Sequence, residues 1–226
     1  MFRRLAFCIG LLAACGITSA QGPTQWVEGT HYFRVESAHA TSTPGKIEVL
    51  DVFSYACPAC NQFQPILNKL KAALPPSAQM AYLPAAFNTA EDWPVFQRGF
   101  LAAQALGIAE RSHDAMYDAV WGKGSLAVVD LTSHRVLPQS KLPTIEDLAK
   151  FYTGYGVTAA QFLNAANSFS VNSNINRCEA QMRDYQVDST PTLIVNGKYR
   201  LTPQSAGGYL QTIDLVLYLV GRERGG

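Results

Sequence analysis

Residues 47–63 read IEVLDVFSYACPACNQF, a strand-like run joined to a helix-like run through two cysteines. IEVLDVF is short and rich in β-branched and aromatic residues, which predicts a buried strand. From Pro58 onward apolar residues recur at threes and fours until a proline pair, which predicts a helix with proline at its first position and a kink at Pro65. Cys57 is therefore expected where the strand segment ends, and Cys60 in the first helical turn.

A second β-like run and a long helical stretch follow. MAYLPAAF predicts another strand, and apolar residues at helical spacing predict helices through most of residues 91–170. Within this stretch Thr144 and Asp147 stand three apart, as in a capping box with Asp in place of the usual Glu or Gln, so we expect a helix to begin after Thr144. The last helical pattern is expected to break near residues 168–174, where short polar side chains accumulate.

The chain closes with a hairpin pattern and a helix. In residues 189–201, STPTLIVNGKYRL, two β-rich runs flank Asn196-Gly197, a dipeptide typical of type I′ turns. Residues 207–220 predict a final helix. The helix is expected to carry Leu210, Ile213, Leu217 and Val220 on one apolar stripe. This order of elements predicts a β-α-β unit with a parallel crossover, and a sheet that the hairpin extends with antiparallel strands.

The first twenty residues predict an export signal. Arg3 and Arg4 precede an apolar run too short to span a bilayer, and small residues follow. Cleavage is expected either after Ala20, which would give a soluble protein, or before Cys15, where Leu-Ala-Ala-Cys resembles a lipoprotein signal and would give a lipid-anchored one. An uncleaved anchor is a third alternative. Export would deliver the cysteines to an oxidising compartment, where disulfides persist.

Composition and charge exclude some classes of function. With 226 residues, 48% hydrophobic and 15% charged, the chain has the composition of an ordinary globular protein. Without Arg3 and Arg4, 16 basic residues face 17 acidic ones, and no basic stripe is present to bind nucleic acid. Three of the five cysteines lie outside the predicted signal, namely Cys57, Cys60 and Cys178, and three are too few for a disulfide framework. Cys178 is expected to be a half-buried thiol on a helix, without a resolving role.

The position of the cysteine pair at the start of a helix predicts redox chemistry. Unpaired N–H groups and the positive end of the helix dipole stabilise an anion there, so the pKa of the Cys57 thiol should fall. The two intervening residues let the sulfurs reach each other across one turn, and Pro58 stiffens the loop. Because a stabilised thiolate favours the reduced form, each unit of pKa below ambient pH makes the disulfide more oxidising by roughly 30 mV.

These segments resemble a known family. FSYACPAC after IEVLDV, together with STPTLIVNG, resembles the thioredoxin superfamily, and the helical block between its two halves narrows the resemblance to DsbA-type periplasmic thiol:disulfide oxidoreductases. WVEGTHY, LAAQALGI and VNGKYRL are further matches, so that the resemblance spans residues 24–222. It implies an α/β thioredoxin-like fold with an inserted all-helical domain. The expected parts are an export signal at 1–20, a thioredoxin-like domain at 21–89 and 171–226, and the insertion at 90–170.

The resemblance also implies which residues act. Cys57 is expected to be the attacked, solvent-facing cysteine, Cys60 the buried resolving one, and Pro191 a cis-proline that packs against the pair. Thr190 would present its backbone to the substrate chain as if adding a strand. Asp51 matches a buried acidic residue beneath the disulfide, which could shuttle a proton to the resolving thiol because burial raises the pKa of a carboxyl group. The alternative for Asp51 is a strand-end residue bound to backbone.

The residues between the cysteines depart from the family pattern. Pro58 and Ala59, with Thr190, are expected to contact the substrate. The family usually has Cys-Pro-His-Cys, and here Ala59 replaces the histidine. Alanine neither donates to the thiolate nor carries charge near it, so Cys57 should be less acidic, and its disulfide less oxidising, than is usual for the family.

The predicted activity is the introduction of disulfide bonds into reduced or unfolded exported proteins in the periplasm, by a monomer without a cofactor. The resemblance implies reoxidation by a membrane quinone-linked partner of the DsbB type. The alternative is a disulfide isomerase or reductase of the same superfamily. A metal site at Cys57 and Cys60 is an alternative of another class, but a structural zinc ion usually takes four ligands. The other candidate ligands are Cys178 and the scattered His31, His39, His113 and His134.

Overall fold

The computed structural model describes residues 26–36 and 39–225, and the strands in these ranges form a five-stranded sheet. The strands are β1 (Phe33–Arg34), β2 (Ile47–Phe53), β3 (Ala78–Pro84), β4 (Thr192–Val195) and β5 (Tyr199–Leu201). Their spatial order is β1-β5-β4-β2-β3, in which β2 and β3 are parallel and the other neighbouring pairs are antiparallel. The export signal predicted for residues 1–20, with Cys15, lies outside the described residues.

Helices cover both faces of the sheet. Helix α1 (Pro58–Ala73) connects β2 to β3, and α7 (Tyr209–Arg224) follows β5 and packs beside α1. The helices between β3 and β4 are α2 (Trp93–Ala105), α3 (Ala109–Tyr117), α4 (Ile145–Tyr152), α5 (Ala159–Ala166) and α6 (Phe169–Asp184). Within the described ranges, none of these helices has the length and apolarity that a membrane crossing requires.

The sheet separates two hydrophobic cores, because successive side chains of a strand point to opposite faces. Val49 of β2 lies in the core that the sheet forms with α1 and α7. Leu50 and Val52 lie in the larger core, which the sheet shares with α2 to α6. The division at residues 90 and 170 into two domains stays a proposal, and residue 170 falls in the first turn of α6, which packs against α2.

Most predicted elements of the first half are confirmed. The strand IEVLDVF is β2 itself, and α1 begins at Pro58 and continues past Pro65 to Ala73. The predicted strand MAYLPAAF is β3, which begins earlier and ends at Pro84. The capping box is present. The Asp147 amide donates to the Thr144 hydroxyl, and the Thr144 amide donates to the Asp147 carboxylate. Each predicted element that is confirmed here rests on local sequence signals.

The predicted hairpin is also confirmed. Asn196 and Gly197 have φ of 52° and 65°, and the Lys198 amide donates to the Val195 carbonyl at 3.0 Å, as in a type I′ turn. Gly197 has a second reason to be glycine, because a Cβ at this position would lie 2.9 Å from the His39 carbonyl oxygen. The turn therefore fixes the register of β4 against β5.

The insertion contains one long irregular segment, after α3. A π-helical turn, Asp118–Gly122, follows α3, and residues 123–144 then run irregularly apart from a short 3-10 turn and a β-bridge between Val129 and Val136. The Asp130 carboxylate accepts from the backbone amides of the two residues after Leu131. Such local bonds compete with helical ones, which fits the irregular course of the chain around Asp130.

The apolar stripe predicted for α7 faces the core only in part, since Val220 is 1% exposed. Leu210 is 60% exposed, and Ile213 and Leu217 are only half-buried. The buried face consists of Val220 together with Thr212, Leu215, Val216 and Leu219, which the stripe did not include. Most positions of YLQTIDLVLYLV are apolar, so the sequence offers two stripes at helical spacing, and packing against the sheet and α1 selects the second.

Candidate active site

The two cysteines lie where β2 passes into α1, as predicted. Cys57 is the N-cap of the helix, with extended φ and ψ of −84° and 118°, and Pro58 occupies the first helical position. A tight turn delivers the chain from the strand to this cap. In this turn the Cys57 amide donates to the Ser54 carbonyl oxygen at 3.1 Å, and the Ala56 amide donates to the Ser54 hydroxyl at 3.2 Å. The Cys57 sulfur thereby faces the unpaired N–H groups of the first turn of α1.

The environment of Cys57 favours its thiolate. Its Sγ accepts a hydrogen bond from the Cys60 amide at 3.4 Å, and in the thiol form it donates to the Thr190 carbonyl oxygen at 3.6 Å. The pKa of Cys57 falls from 9.0 to about 6, chiefly because the Cys60 side chain hydrogen-bonds to it. Burial acts in the opposite direction, and contacts with Thr190 and the amides of Cys60 and Ala59 lower the pKa further. The predicted fall in this pKa is confirmed in direction.

Cys60 has the opposite character. Burial, then the hydrogen bond and charge of Cys57, and then the charge of Asp51 raise the pKa of Cys60 well above its ordinary value. In the dithiol, Cys57 therefore loses its proton first and Cys60 keeps its own. Cys60 is 2% exposed and Cys57 5% exposed. The expected solvent-facing cysteine is thus the more accessible of the two, but it is recessed.

The Thr190–Pro191 loop lies against the pair because β4 is the neighbour of β2. Thr192 of β4 pairs with Val52 of β2, so the residues just before Thr192 lie beside the end of β2. The Thr190–Pro191 peptide bond is cis, as the family resemblance implied. Thr190 is half-buried and directs its carbonyl oxygen toward Cys57 Sγ. Two segments more than 130 residues apart in the sequence thus form one site.

Asp51 lies within β2 beneath the pair. It is 2% exposed, and its Oδ1 has no hydrogen-bond partner among the described residues. Burial, and secondarily the charge of Cys57, raises the pKa of Asp51 to about 8. An Oδ1 without a partner does not fit the alternative of a carboxylate bound to backbone. The carboxyl group is therefore protonated at neutral pH and close enough to the thiols to interact with their charges.

Two tyrosines that sequence reasoning missed also border the site. Tyr209, at the start of α7, has its hydroxyl 3.5 Å from the Ala59 carbonyl, and burial and then the charges of Cys57 and Cys60 raise its pKa. Tyr117, at the end of α3, is buried, and burial followed by the charge of Cys60 raises its pKa. No local signal could have revealed them, since each comes from a helix far away in the sequence.

The remaining candidate ligands and cysteine lie away from the pair. Among residues 26–36 and 39–225, no three His, Cys, Asp or Glu side chains are placed to hold one metal ion. His113 hydrogen-bonds to Tyr55, and His39 pairs with Asp184 at 2.7 Å. Cys178, on α6, is a thiol that is more deeply buried than predicted, and burial raises its pKa to about 12. The histidines and Cys178 thus offer the pair no further ligand in the described structure.

Comparisons with known proteins agree with this geometry. Residues 48–208 match the model of a family described as "DSBA-like thioredoxin domain". The chain is 34% identical over 199 residues to the thiol:disulfide interchange protein DsbA of Pseudomonas aeruginosa, covering 88% of this chain and 86% of that protein. It is 33% identical to the DsbA of Azotobacter vinelandii over 87% of this chain and 84% of that protein.

Solved structures give the same result. The crystal structure of the oxidoreductase DsbA from Xylella fastidiosa matches with a TM-score of 0.76 and 32% identity, over 88% of this chain and 98% of that one. The fold is thus the predicted α/β thioredoxin-like fold with a helical insertion, and the activity is that of a protein thiol:disulfide oxidoreductase. The chain belongs to the DSBA-like thioredoxin domain family.

Proposed function

We propose that this protein introduces disulfide bonds into reduced exported proteins by dithiol–disulfide exchange, with Cys57 as the sulfur that is attacked. The observation that carries the proposal is the opposite shift of the two thiols, since the pKa of Cys57 is lowered to about 6 while that of Cys60 is raised. A thiolate that is stable at neutral pH is a good leaving group and makes the disulfide oxidising.

The proposed reaction has two exchange steps. A substrate thiolate attacks Cys57 Sγ of the Cys57–Cys60 disulfide, the bond between the two protein sulfurs breaks, and Cys60 leaves as a thiolate that takes up a proton. A second substrate thiolate then attacks the substrate sulfur of the mixed disulfide and expels Cys57 as a thiolate. The substrate loses two electrons and gains a disulfide, and the protein gains both electrons and is left as the dithiol.

Asp51 is the proposed proton donor for Cys60. Its pKa of about 8 leaves it mainly protonated at neutral pH, so it can give a proton to the Cys60 thiolate as that thiolate forms. The raised pKa of Cys60 makes this transfer favourable. Reoxidation of the pair would return the proton to Asp51, because Cys60 must lose its proton before it can attack.

The substrate chain is proposed to cross the surface made by the cysteine loop and the cis-proline loop. Pro58 is exposed, and Ala59 and Thr190 are half-buried, so all three can contact a polypeptide lying over Cys57. Main-chain pairing with Thr190 would hold an extended substrate without reading its side chains. Such pairing suits an enzyme that acts on many sequences.

The setting of the activity is part of the proposal. We infer a monomer in the periplasm, soluble or held by a lipid on Cys15, that is reoxidised by a membrane quinone-linked protein of the DsbB type. The family resemblance supports this setting. The low pKa of Cys57 supports the oxidase rather than an isomerase or reductase, since the latter must stay reduced to work.

The redox potential and a trapping experiment test the proposal. Equilibration with glutathione should give a potential above about −200 mV, whereas a value below about −250 mV would indicate a reductase. The Cys60→Ala variant, mixed with a peptide carrying an activated disulfide, should accumulate a mixed disulfide through Cys57. The Cys57→Ala variant is the matched control and should trap none. Trapping through Cys60 instead would overturn the assignment of Cys57.

A further inference from the structure

Tyr55 lies in the segment that leads to Cys57 and is held by side chains of the insertion. It lies between the end of β2 and Cys57 and is 1% exposed. Its ring packs edge-on against Phe53 and Tyr117, with centroid distances of 5.0 and 5.1 Å. Both its backbone carbonyl and its hydroxyl are bound by side chains from the insertion. A residue two positions before the reactive cysteine is thus held at two separate atoms.

The backbone of Tyr55 is held by Trp121. The indole Nε1 of Trp121, in the π-helical turn after α3, donates to the Tyr55 carbonyl oxygen at 2.8 Å. In a π-helical turn each hydrogen-bonded ring contains one more residue than in an α-helix, and such turns are frequent at functional sites. An indole has one donor, so this bond fixes the ring as well as the carbonyl it binds.

The side chain of Tyr55 is held by His113. The hydroxyl lies 2.8 Å from Nδ1 of His113 on α3, and both residues are buried. Burial lowers the pKa of His113 to about 4, so the imidazole is neutral at physiological pH. The other ring nitrogen, Nε2, has no hydrogen-bond partner among the described residues. The Tyr55 hydroxyl is therefore the polar contact that orients this imidazole.

The turn that Tyr55 enters sets the position of the Cys57 sulfur. Its Sγ accepts from the Cys60 amide at 3.4 Å, which stabilises the thiolate, whereas the protonated thiol donates to the Thr190 carbonyl oxygen at 3.6 Å. The bond from the Cys60 amide weakens when the turn moves by a few tenths of an ångström, because hydrogen bonds fall off steeply with distance and angle. The acidity of Cys57 therefore depends on how firmly the turn from Ser54 is held.

We propose that Trp121 and His113 are positioning residues for Cys57, acting through Tyr55 so that the helical insertion sets the acidity of the reactive thiol. The inference rests on the proposed role of Cys57 as the attacked sulfur. The insertion would then take part in the exchange reaction as well as cover the sheet. Trp121 and His113 would act indirectly, because the hydrogen-bond partners of Cys57 Sγ among the described residues are Cys60 and Thr190.

The decisive variant is Trp121→Phe, which keeps a ring and removes the one donor. The ultraviolet absorbance of the thiolate, followed against pH in the reduced protein, should show the pKa of Cys57 higher by about half a unit, a threefold smaller thiolate fraction below that pKa. The matched control is Trp93→Phe. Trp93 is buried whereas Trp121 is half-buried, but Trp93 also donates through Nε1, to the Glu91 carboxylate at 3.0 Å. Its ring packs beside Phe87, and its Nε1 does not bind the cysteine loop.

The other titratable groups that face Cys57 are unchanged in both tryptophan variants. They are Asp51 from β2, Cys60 from α1, Tyr117 from α3 and Tyr209 from α7. Both variants are expected to lose stability, so the free energy of unfolding does not separate a positioning role from a structural one. The pKa of Cys57 separates the two roles. If the role of Trp121 is purely structural, the pKa of Cys57 in Trp121→Phe equals that in the control, Trp93→Phe.

A second variant keeps the test informative if Trp121→Phe does not fold. Tyr55→Phe removes only the hydroxyl that binds His113 and should raise the pKa of Cys57 in the same direction. The proposal is overturned if the pKa of Cys57 in the folded variants equals that of wild type and of Trp93→Phe. A wild-type Cys57 that titrates like an ordinary thiol would instead overturn its proposed role as the attacked sulfur, so the two failures are distinguishable.

Discussion

Two buried thiols in this molecule have opposite acidities, although their exposures are nearly equal. Cys57, at the N-terminus of α1, is 5% exposed and Cys178, within α6, is 6% exposed. The pKa of Cys57 is lowered to about 6, whereas that of Cys178 is raised to about 12. Depth of burial therefore does not decide which cysteine of this chain is reactive.

The difference lies in what surrounds each sulfur. Burial is the main influence on Cys178 and raises its pKa, because an apolar environment disfavours the thiolate. Burial acts on Cys57 in the same direction, but the hydrogen bonds from Cys60, Thr190 and the amides of the first helical turn outweigh it. A cap position supplies unpaired N–H groups that the middle of a helix has already used. Reactivity thus follows from position along the helix.

The largest effect expected from this comparison is on activity. The Cys57→Ala variant should lose all thiol–disulfide exchange, because no other sulfur in the pair is placed to be attacked. The Cys178→Ala variant should retain the wild-type rate, since its thiol stays protonated up to a pH of about 12. Oxidation of a reduced dithiol peptide, followed by mass spectrometry, measures both. A substantial loss of rate in Cys178→Ala would show that the second thiol takes part in exchange.

Asp51 sharpens the comparison, because burial dominates its pKa although it neighbours Cys57. A folded pKa of about 8, against an ordinary 3.8, means that the folded protein is progressively destabilised as the pH rises from about 4 to 8. Each pH unit in this window costs about 1.4 kcal/mol. The Asp51→Asn variant does not titrate, so its free energy of unfolding relative to wild type should rise by about 4 kcal/mol between pH 4 and 7.

Denaturant unfolding of the oxidised protein at several pH values measures the part of this difference that burial causes, because the disulfide removes the titration of both cysteines and with it the smaller contribution of the Cys57 charge to the pKa of Asp51. A stability difference between Asp51→Asn and wild type that is independent of pH would show that Asp51 titrates normally. The same variant should also slow the exchange step that releases Cys60, if Asp51 supplies its proton.

The sequence predicted the parts of this site that are local. A β-branched run, a cysteine and a proline at the first helical position lie next to one another in the chain, so the cap position of Cys57 followed from neighbouring residues. The capping box at Thr144 and the turn at Asn196-Gly197 were predictable for the same reason. The cis geometry of Pro191 and the burial of Asp51 came from the family resemblance rather than from spacing.

The parts that sequence reasoning missed are contacts over long separations and choices between equivalent patterns. Tyr55 meets His113 and Trp121 across 58 and 66 residues, and no periodicity records which side chain a loop will meet. The helix α7 has apolar residues on two possible stripes, and only packing against the rest of the fold decides that Leu210 is exposed. Hydrophobic pattern gives the type of an element more reliably than its orientation.

The stability of the reduced protein should also reflect the comparison. The folded pKa of Cys57 is depressed to about 6 from 9.0, so its contribution to stability is present above about pH 9 and is lost as the pH falls toward 6. The free energy of unfolding of the reduced protein, minus that of the oxidised protein, should rise by about 1.4 kcal/mol per pH unit between pH 6 and 9. The Cys178→Ala variant should show the same slope, and a flat difference would mean that Cys57 is not acidic.

The smallest effect expected from the comparison of the two thiols concerns Ala59, which lies between Cys57 and Cys60 where the family usually has histidine. A protonated histidine at this half-buried position would place a positive charge near Cys57 Sγ. The Ala59→His variant should therefore lower the pKa of Cys57 by about one unit and make the disulfide more oxidising by roughly 30 mV. Ala59→Asn is the matched control, because it adds a polar side chain without charge.

Titration of the thiolate absorbance in the three proteins separates the possible causes. If Ala59→His and wild type have the same pKa, the N–H groups and the Cys60 thiol already determine the acidity of Cys57, and the residue between the cysteines contributes nothing. If Ala59→Asn lowers the pKa as much as Ala59→His, a hydrogen bond rather than charge is responsible. A shift confined to Ala59→His would show that the environment of Cys57 still has room for stabilisation, which the cap geometry alone does not supply.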